Sequence, residues 1–485
     1  MKLHLIIVIC FCFAAQLVLP EASHALMSIE DEKKMRAELL EQVKKRAPLV
    51  KDIAVVGYVN KVAQRVLASV ENKYFEYEFF VLKDEALNAF AMPGGIIFIH
   101  SGLLEAIDTE DDLACVLAHE IGHVQARHIA KRLETMKYTG IATAVTAVAG
   151  LFLGGGGRAG TAAMISAGAL STSLALKYSR EDEEEADRRA CQWLCKAGYN
   201  PDGLANVMKK ILQYRWIGGG AIPSYLSTHP SSSQRLSYLE DIVLIKKCPM
   251  QGERNTATLQ YVQMKIKAIN NDPYELIENY RETLQAKPDS LMDIYGLALA
   301  LKATQQLDEA VATFEKLFDF PAIETVISSS VYADFGETLV LAGRYEQAIQ
   351  MLDSHVRKNP DDVAARFQLA RAWQRQGNCN KTMELLKGID EQLEQVEEVF
   401  LMKGKCLVAQ EKMGEGHYFF YRYYKVVGER STARFHRKRA LALLPSTHKY
   451  ALELEEDSKK DKSGSWIDDD EEDKKASRRS GRRSN

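Results

Sequence analysis

An α+β domain followed by an all-α repeat solenoid is the fold class that this 485-residue sequence predicts, and three observations predict it. An apolar stretch with helical character, Leu113 to Ala118, runs straight into His119-Glu120-Ile121-Gly122-His123. A β run interrupted by paired glycines, Asn88 to His100, lies just before it. From about residue 270, small and apolar residues recur 34 positions apart, as Gly336 to Ala370 and Gly343 to Gly377 do. That is the period of a tetratricopeptide helix pair.

The chain opens on Met1-Lys2, then a largely apolar core from Leu3 to Leu19, then Ser23-His24-Ala25 with small residues at the −3 and −1 positions. This pattern predicts a secretory signal peptide over residues 1–25, with a retained anchor as the alternative, and hence a periplasmic protein. Six cysteines follow, sparse and irregular in spacing. They are expected to be mostly reduced and buried, with Cys191 and Cys195, one turn apart, either paired or simply two small core residues. Apolar residues make up 46% of the chain, enough for separate cores, and the length suggests about three domains. A formal charge of −3 with no excess of cations argues against a nucleic-acid partner.

The expected organisation is a signal peptide at 1–25, a catalytic domain at 26–265, a repeat domain at 266–450 and a disordered charged tail at 451–485. Within the catalytic domain, the i,i+4 spacing of His119 and His123 puts both imidazoles on one helix face, where they can share a zinc ion. Glu120 stands beside them, positioned to take a proton from a water that attacks a peptide carbonyl. A catalytic zinc needs a third protein ligand. The acidic cluster Glu181-Asp182-Glu183-Glu184-Glu185 opens a second helical pattern, and composition alone does not choose among its carboxylates. Spacing from Asp187 favours Glu183, since one of that i,i+4 pair can bind metal while the other accepts the spare ring N–H of a liganding histidine. Proline and paired glycines in Asn88 to Phe98 suit an edge strand to which an extended substrate can add. His100 and His128 read as packing or surface residues.

Leu117 to His123 with Arg127-His128, then Tyr178-Ser179-Arg180 with Glu183, Ala186 and Asp187, resemble the gluzincin metallopeptidases that include the CaaX prenyl protease and heat-shock protease X. They are most similar to the branch that serves bacterial outer-membrane β-barrel assembly. Asn88 to Phe98 and Ser227-Thr228-His229-Pro230 with Arg235 fit the same resemblance, which covers about residues 30 to 245. It implies a zincin-type fold, Zn2+ on His119, His123 and Glu183, Glu120 as general base and Asp187 as a supporting residue. His229 is implied either to occupy the open zinc position and hold the enzyme latent, or to hydrogen-bond the tetrahedral intermediate. Arg235 is a candidate to steady the oxyanion or a peptide carboxylate. Unfolded or misassembled envelope proteins and the outer-membrane barrel assembly machinery are the implied partners. A repeat-based chaperone with little proteolytic activity is the alternative function.

Between the two metal motifs, apolar stretches from Ile141 to Leu153 and from Thr161 to Leu176 flank Gly154 to Arg158. Neither half reaches the length of a membrane span. The segment reads as a helical hairpin lying either on the catalytic domain or against a membrane as a peripheral contact. Within the repeats, Ile294 to Phe314 form a unit offset by four extra residues, and Gly404 to Tyr423 a degenerate one. Stacked helix pairs make a concave surface for a protein partner. The aromatic run Tyr418 to Tyr424 exceeds one apolar stripe and is expected to dock a partner or the catalytic domain. Beyond Leu454 the periodicity stops, and lysine-rich, acidic and arginine-rich blocks follow one another.

Overall fold

The computed structural model describes residues 27–135, 177–217, 224–229, 233–246, 248, 256–320, 329–389 and 396–463. The expected signal peptide, the segment 141–176, Pro230 and the chain beyond Ser463 lie outside the described residues. Among the described residues, no helix is long and apolar enough to cross a membrane.

Helix α1 (Ile29–Arg46) is started by a capping box between Ser28 and Asp31. Its Met35, Leu39 and Val43 form an i,i+4,i+8 stripe with no exposed surface, each contributing roughly 1.5–3 kcal/mol by burial. Helix α2 (Ile53–Leu67) precedes a three-stranded sheet of β1 (Glu78–Leu82), β2 (Ala89–Met92) and β3 (Ile96–His100). The order is β1-β3-β2, with β1 parallel and β2 antiparallel to β3. Gly94 and Gly95, at φ +80° and +91°, make the turn between β2 and β3, a conformation that side chains disfavour. One sheet face packs on α1 and the other on α2, so all three strands read as continuous apolar runs rather than alternating ones.

After α3 (Ser101–Ala106), the Thr109–Asp112 capping box starts α4 (Glu110–Gln125), the helix that carries the histidine motif. It lies beside β2 and against α2. Helix α5 (His128–Thr135) follows, then α6 (Arg180–Ala197), begun by a Ser179–Asp182 box and ended by Gly198 in the left-handed region. Helices α7 (Asp202–Ile217), α8 (Ser224–Thr228) and α9 (Ser233–Lys246) close the catalytic unit. Cys195 at the end of α6 is disulfide-bonded to Cys248, Cα–Cα 5.0 Å, which corrects the expectation of reduced thiols at that position. Cys191, one turn earlier, is buried and lies outside that disulfide.

Helix α10 (Thr256–Asn270) spans the expected domain boundary at 265 and joins both units, with Gln263 donating to the carbonyls of Leu104, Glu105 and Ile107. The solenoid continues as α11 (Pro273–Ala286), α12 (Leu291–Ala303), α13 (Leu307–Leu317), α14 (Ser329–Leu341), α15 (Tyr345–Lys358), α16 (Val363–Arg375), α17 (Cys379–Leu385), α18 (Glu397–Ala409), α19 (Met413–Val427) and α20 (Arg430–Leu443). The tight turn inside each helix pair uses one left-handed residue: Gln305, Gly343, Gly377 and Glu411. Gly336 is required by contact as well, since a Cβ there would come within 2.5 Å of Leu352.

Helix α21 (Lys449–Ser463) corrects the expected tail, whose disorder was placed from 451 onward. Its Asp457 accepts from Tyr421 Oη at 2.9 Å and Lys425 Nζ at 2.7 Å, and its Glu453 from Tyr418. These polar partners, absent from any apolar periodicity, hold a charged helix on α19. They also account for part of the aromatic run, which docks α21. The solenoid returns to the catalytic unit, where Arg430 pairs with Glu41 of α1 and Lys51 with Glu397.

Candidate metal centre

Helices α4 and α6 cross closely because Gly122 and Ala186 are small: a Cβ on Gly122 would lie 3.0 Å from the Ala186 backbone. That approach brings the acidic first turn of α6 over the two imidazoles of α4. His119 Nε2 and His123 Nε2 are 3.0 Å apart, and Glu183 oxygens lie 3.5 Å and 3.6 Å from them. His229, just after α8, reaches the same point, with Nδ1 3.3 Å from His119 Nε2 and 3.0 Å from Glu183 Oε1. Ligand atoms of His119, His123, Glu183 and His229 all lie within 4.8 Å of one another, and all four residues are buried.

The remaining ring atoms are held from outside. His119 Nδ1 faces Asp187 Oδ1 at 2.8 Å, which leaves Nε2 as the inward donor. Asp187 in turn receives Arg235 Nε at 2.8 Å and Nη2 at 2.9 Å, and Arg235 Nη1 also contacts Glu183. Arg235 thus contacts both carboxylates from outside the cluster. His123 Nδ1 lies 2.9 Å from His128 Nδ1, and His128 Nε2 lies 3.3 Å from Glu185 and 3.5 Å from Asp182. Tyr178 stacks on His123 at 3.8 Å and Tyr225 on His229 at 4.4 Å between ring centroids. The sequence reads His128 as a packing or surface residue, and it packs, buried, outside the ligand cluster; neither tyrosine was singled out as a site residue. Only the closeness of His128 to the motif could have drawn notice.

Burial raises the pKa of Glu120 above the usual carboxylate range, against the pull of His229 and His119. Burial and the neighbouring His119 push His123 well below the ordinary imidazole value, so its ring is neutral. Burial also disfavours a charged His119, but Asp187 and Glu183 outweigh it and lift the pKa to about 9. A metal ion taking Nε2 would therefore release a proton. Burial works against ionised Glu183 too, yet His229 and Arg235 hold its pKa well below normal.

This donor set suits zinc, combining imidazoles and a carboxylate in a closed pocket. Both Glu120 oxygens and His229 Nε2 are buried without a hydrogen bond, so the cluster is incomplete as protein alone. Beside it, Val116, Leu204, Val207 and Met208 line a small apolar pocket that His119, Tyr225 and Arg235 complete. The β2 strand next to α4 is fully covered: Ala89, Phe90, Ala91 and Met92 are at most 2% exposed. As the sequence predicts, β2 is an edge strand of the sheet.

Residues 55–243 match the model of peptidase family M48, and residues 339–406 match a tetratricopeptide repeat model. The chain is 28% identical over 383 residues to the beta-barrel assembly-enhancing protease of Yersinia pestis, covering 74% of each chain. It is 32% identical over 213 residues to the protein of that name from Escherichia coli K12, covering 44% of this chain and 43% of that one. Mitochondrial metalloendopeptidase OMA1 of Schizosaccharomyces pombe is 31% identical over 184 residues, or 38% of this chain and 52% of the relative.

Proposed function

We propose that in this zinc metalloendopeptidase, whose residues 55–243 match peptidase family M48, His119, His123 and Glu183 hold the zinc while Glu120 is the general base. The observation that carries this reading is the convergence of those donor atoms on one buried point beside Glu120, whose two oxygens have no other hydrogen-bond partner. When bound, zinc polarises the scissile carbonyl and acidifies water. Glu120 receives the proton of the attacking water and passes it to the leaving amine, and its raised pKa suits a group that must hold a proton between those two transfers. Asp187 keeps His119 in the metal-facing tautomer, and Arg235 keeps Asp187 in place.

His229 lies inside the ligand cluster and is completely buried, which supports the latch role in the resting enzyme over the alternative of hydrogen-bonding the tetrahedral intermediate. The covered β2 strand fits the same resting state. We place the enzyme in the periplasm, associated with the outer membrane. Its substrates are unfolded or misassembled envelope proteins, and the repeats engage them or the barrel assembly machinery, a partner suggested by the names of the relatives. One observation favours a second activity: a site so closed leaves the repeats as the part of the resting molecule accessible to clients, as a chaperone or assembly factor would need.

Cleavage of an unfolded protein by wild type and by Glu120→Gln, at equal zinc loading, tests the mechanism. The variant should retain zinc and lose about 10²–10⁴-fold in rate, the scale of general-base catalysis. Equal rates would overturn the assignment. In the same assay His229→Ala should be faster than wild type at rest if the ring is a latch, and slower if its main part is in the transition state.

A further inference from the structure

The two histidines of the α4 motif are steadied in different ways. His119 Nδ1 meets a carboxylate directly, that of Asp187. His123 Nδ1 instead lies 2.9 Å from another ring nitrogen, Nδ1 of His128, and at that distance only one hydrogen fits between the two. With Nε2 of His123 turned to the metal, the hydrogen of its neutral ring belongs to Nδ1, so His128 Nδ1 must accept. The hydrogen of His128 is then on Nε2, which lies 3.3 Å from Glu185 Oε2 and 3.5 Å from Asp182 Oδ1. Both carboxylates are themselves fixed, Glu185 by Arg189 at 2.7 Å and Asp182 by Arg132 at 3.1 Å. His128 is buried, so its nitrogens depend on these partners.

The backbone is bent to make the contact. Five positions along a continuous α-helix would carry His128 about 140° around the axis from His123. Instead, Arg127 follows α4 in the left-handed region at φ +57°, where a side chain is disfavoured, and α5 begins at His128. Glu32 and the carbonyl of Met27 hold the Arg127 guanidinium and so keep the bend. Backbone strain persists where the surrounding structure over-determines it, and it clusters at functional sites. We propose that His128 is a positioning residue for His123, an inference that rests on His123 being a zinc ligand. His128 accepts a hydrogen bond from His123 Nδ1–H, fixes the metal-facing tautomer and the ring plane, and passes the chain of hydrogen bonds on to Glu185. Helix α6 then supports both histidines of α4, one directly through Asp187 and the other through His128.

The test is the zinc affinity of the folded full chain, measured by competition with a chelator, in wild type, His128→Phe and His128→Asn. A phenyl ring fills the site but offers no acceptor, whereas the amide oxygen of asparagine can stand where Nδ1 stood. His128→Phe should bind zinc about 10–100-fold more weakly, the scale of losing a partner behind a ligand, and His128→Asn should recover most of that loss. Unchanged affinity in His128→Phe would overturn the proposal. So would His128→Asn binding as weakly as His128→Phe, since packing alone would then account for the residue. NMR of the ring nitrogens in zinc-loaded wild type needs no variant to fold: His128 should carry its hydrogen on Nε2 and none on Nδ1, and the reverse tautomer would overturn the proposal. His123→Ala separates the two levels of the argument. It should lose zinc, and full zinc in that variant would overturn the ligand assignment on which the proposal rests.

Discussion

Among the described residues, two charge clusters differ in how far their own polar groups satisfy one another. At the junction of the catalytic unit and the solenoid, Lys265 of α10 contacts Asp52 at 2.7 Å and Asp334 at 2.7 Å. Tyr295 donates to Asp334 at 2.6 Å, Lys302 bridges Asp334 and Glu337, and Arg371 holds Glu337 at 3.0 Å and Glu398 at 3.1 Å. Each carboxylate there faces a cation, and none of these atoms is among the buried groups without a hydrogen bond. At the metal centre, imidazoles face imidazoles, and both Glu120 oxygens are bare of hydrogen bonds. Burial and charge are common to both clusters. What separates them is whether the protein completes its own polar network.

The two clusters should therefore fail in different ways. Lys265→Met leaves Asp52 and Asp334 short of a buried cation, and should cost about 3–5 kcal/mol of stability in chemical denaturation while the folded fraction keeps its zinc. Lys265→Met combined with Asp334→Leu should recover part of that loss, because it removes both buried charges. Asp187→Asn disturbs the metal cluster from outside. It should lower zinc affinity or peptide cleavage about 10–100-fold when compared at equal folded fraction. A stability loss without any change in zinc affinity would make Asp187 a structural residue only.

The smallest effect concerns pH. Burial disfavours ionised Glu337, but Lys302 and Arg371 outweigh it and hold its pKa at about 2, below the ordinary 4.5. Its contribution to stability is thus fully present above pH 4.5 and is lost as pH falls towards 2. Glu337→Gln should be less stable at neutral pH and show a shallower decline between pH 4.5 and 2. Parallel wild-type and variant curves through that window would remove Glu337 from the account.

The same contrast explains what could be read in the sequence. His119 and His123 were legible because their relation is local, set by one helical turn, and Glu183 partly so through its spacing from Asp187. The repeats were legible because Gly343 and Gly377 each satisfy the left-handed turn of a helix pair. Gln305 and Glu411 serve that turn without glycine; Gln305 lies 38 residues before Gly343, which is the offset of its unit, while Glu411 lies 34 after Gly377 and makes its unit look degenerate. His128, Tyr178 and Tyr225 acquire their positions only when α4, α6 and α8 meet. Lys265 and Asp334 are 69 residues apart, and Cys195 and Cys248 are 53 apart, so no local pattern pairs them. Helix α21 escaped notice because its apolar contacts, Tyr450 on Tyr418 with buried Ala451 and Leu454, are few and set among charged residues.

The most direct test of the distinction between the clusters is zinc content, measured per folded chain in wild type, Glu183→Gln and Glu337→Gln after dialysis against trace zinc. An incomplete cluster binds metal and a self-satisfied one does not. Wild type and Glu337→Gln should each hold one zinc, and Glu183→Gln, folded to the same extent, should hold almost none. Full zinc in Glu183→Gln, or its loss from Glu337→Gln, would contradict the account.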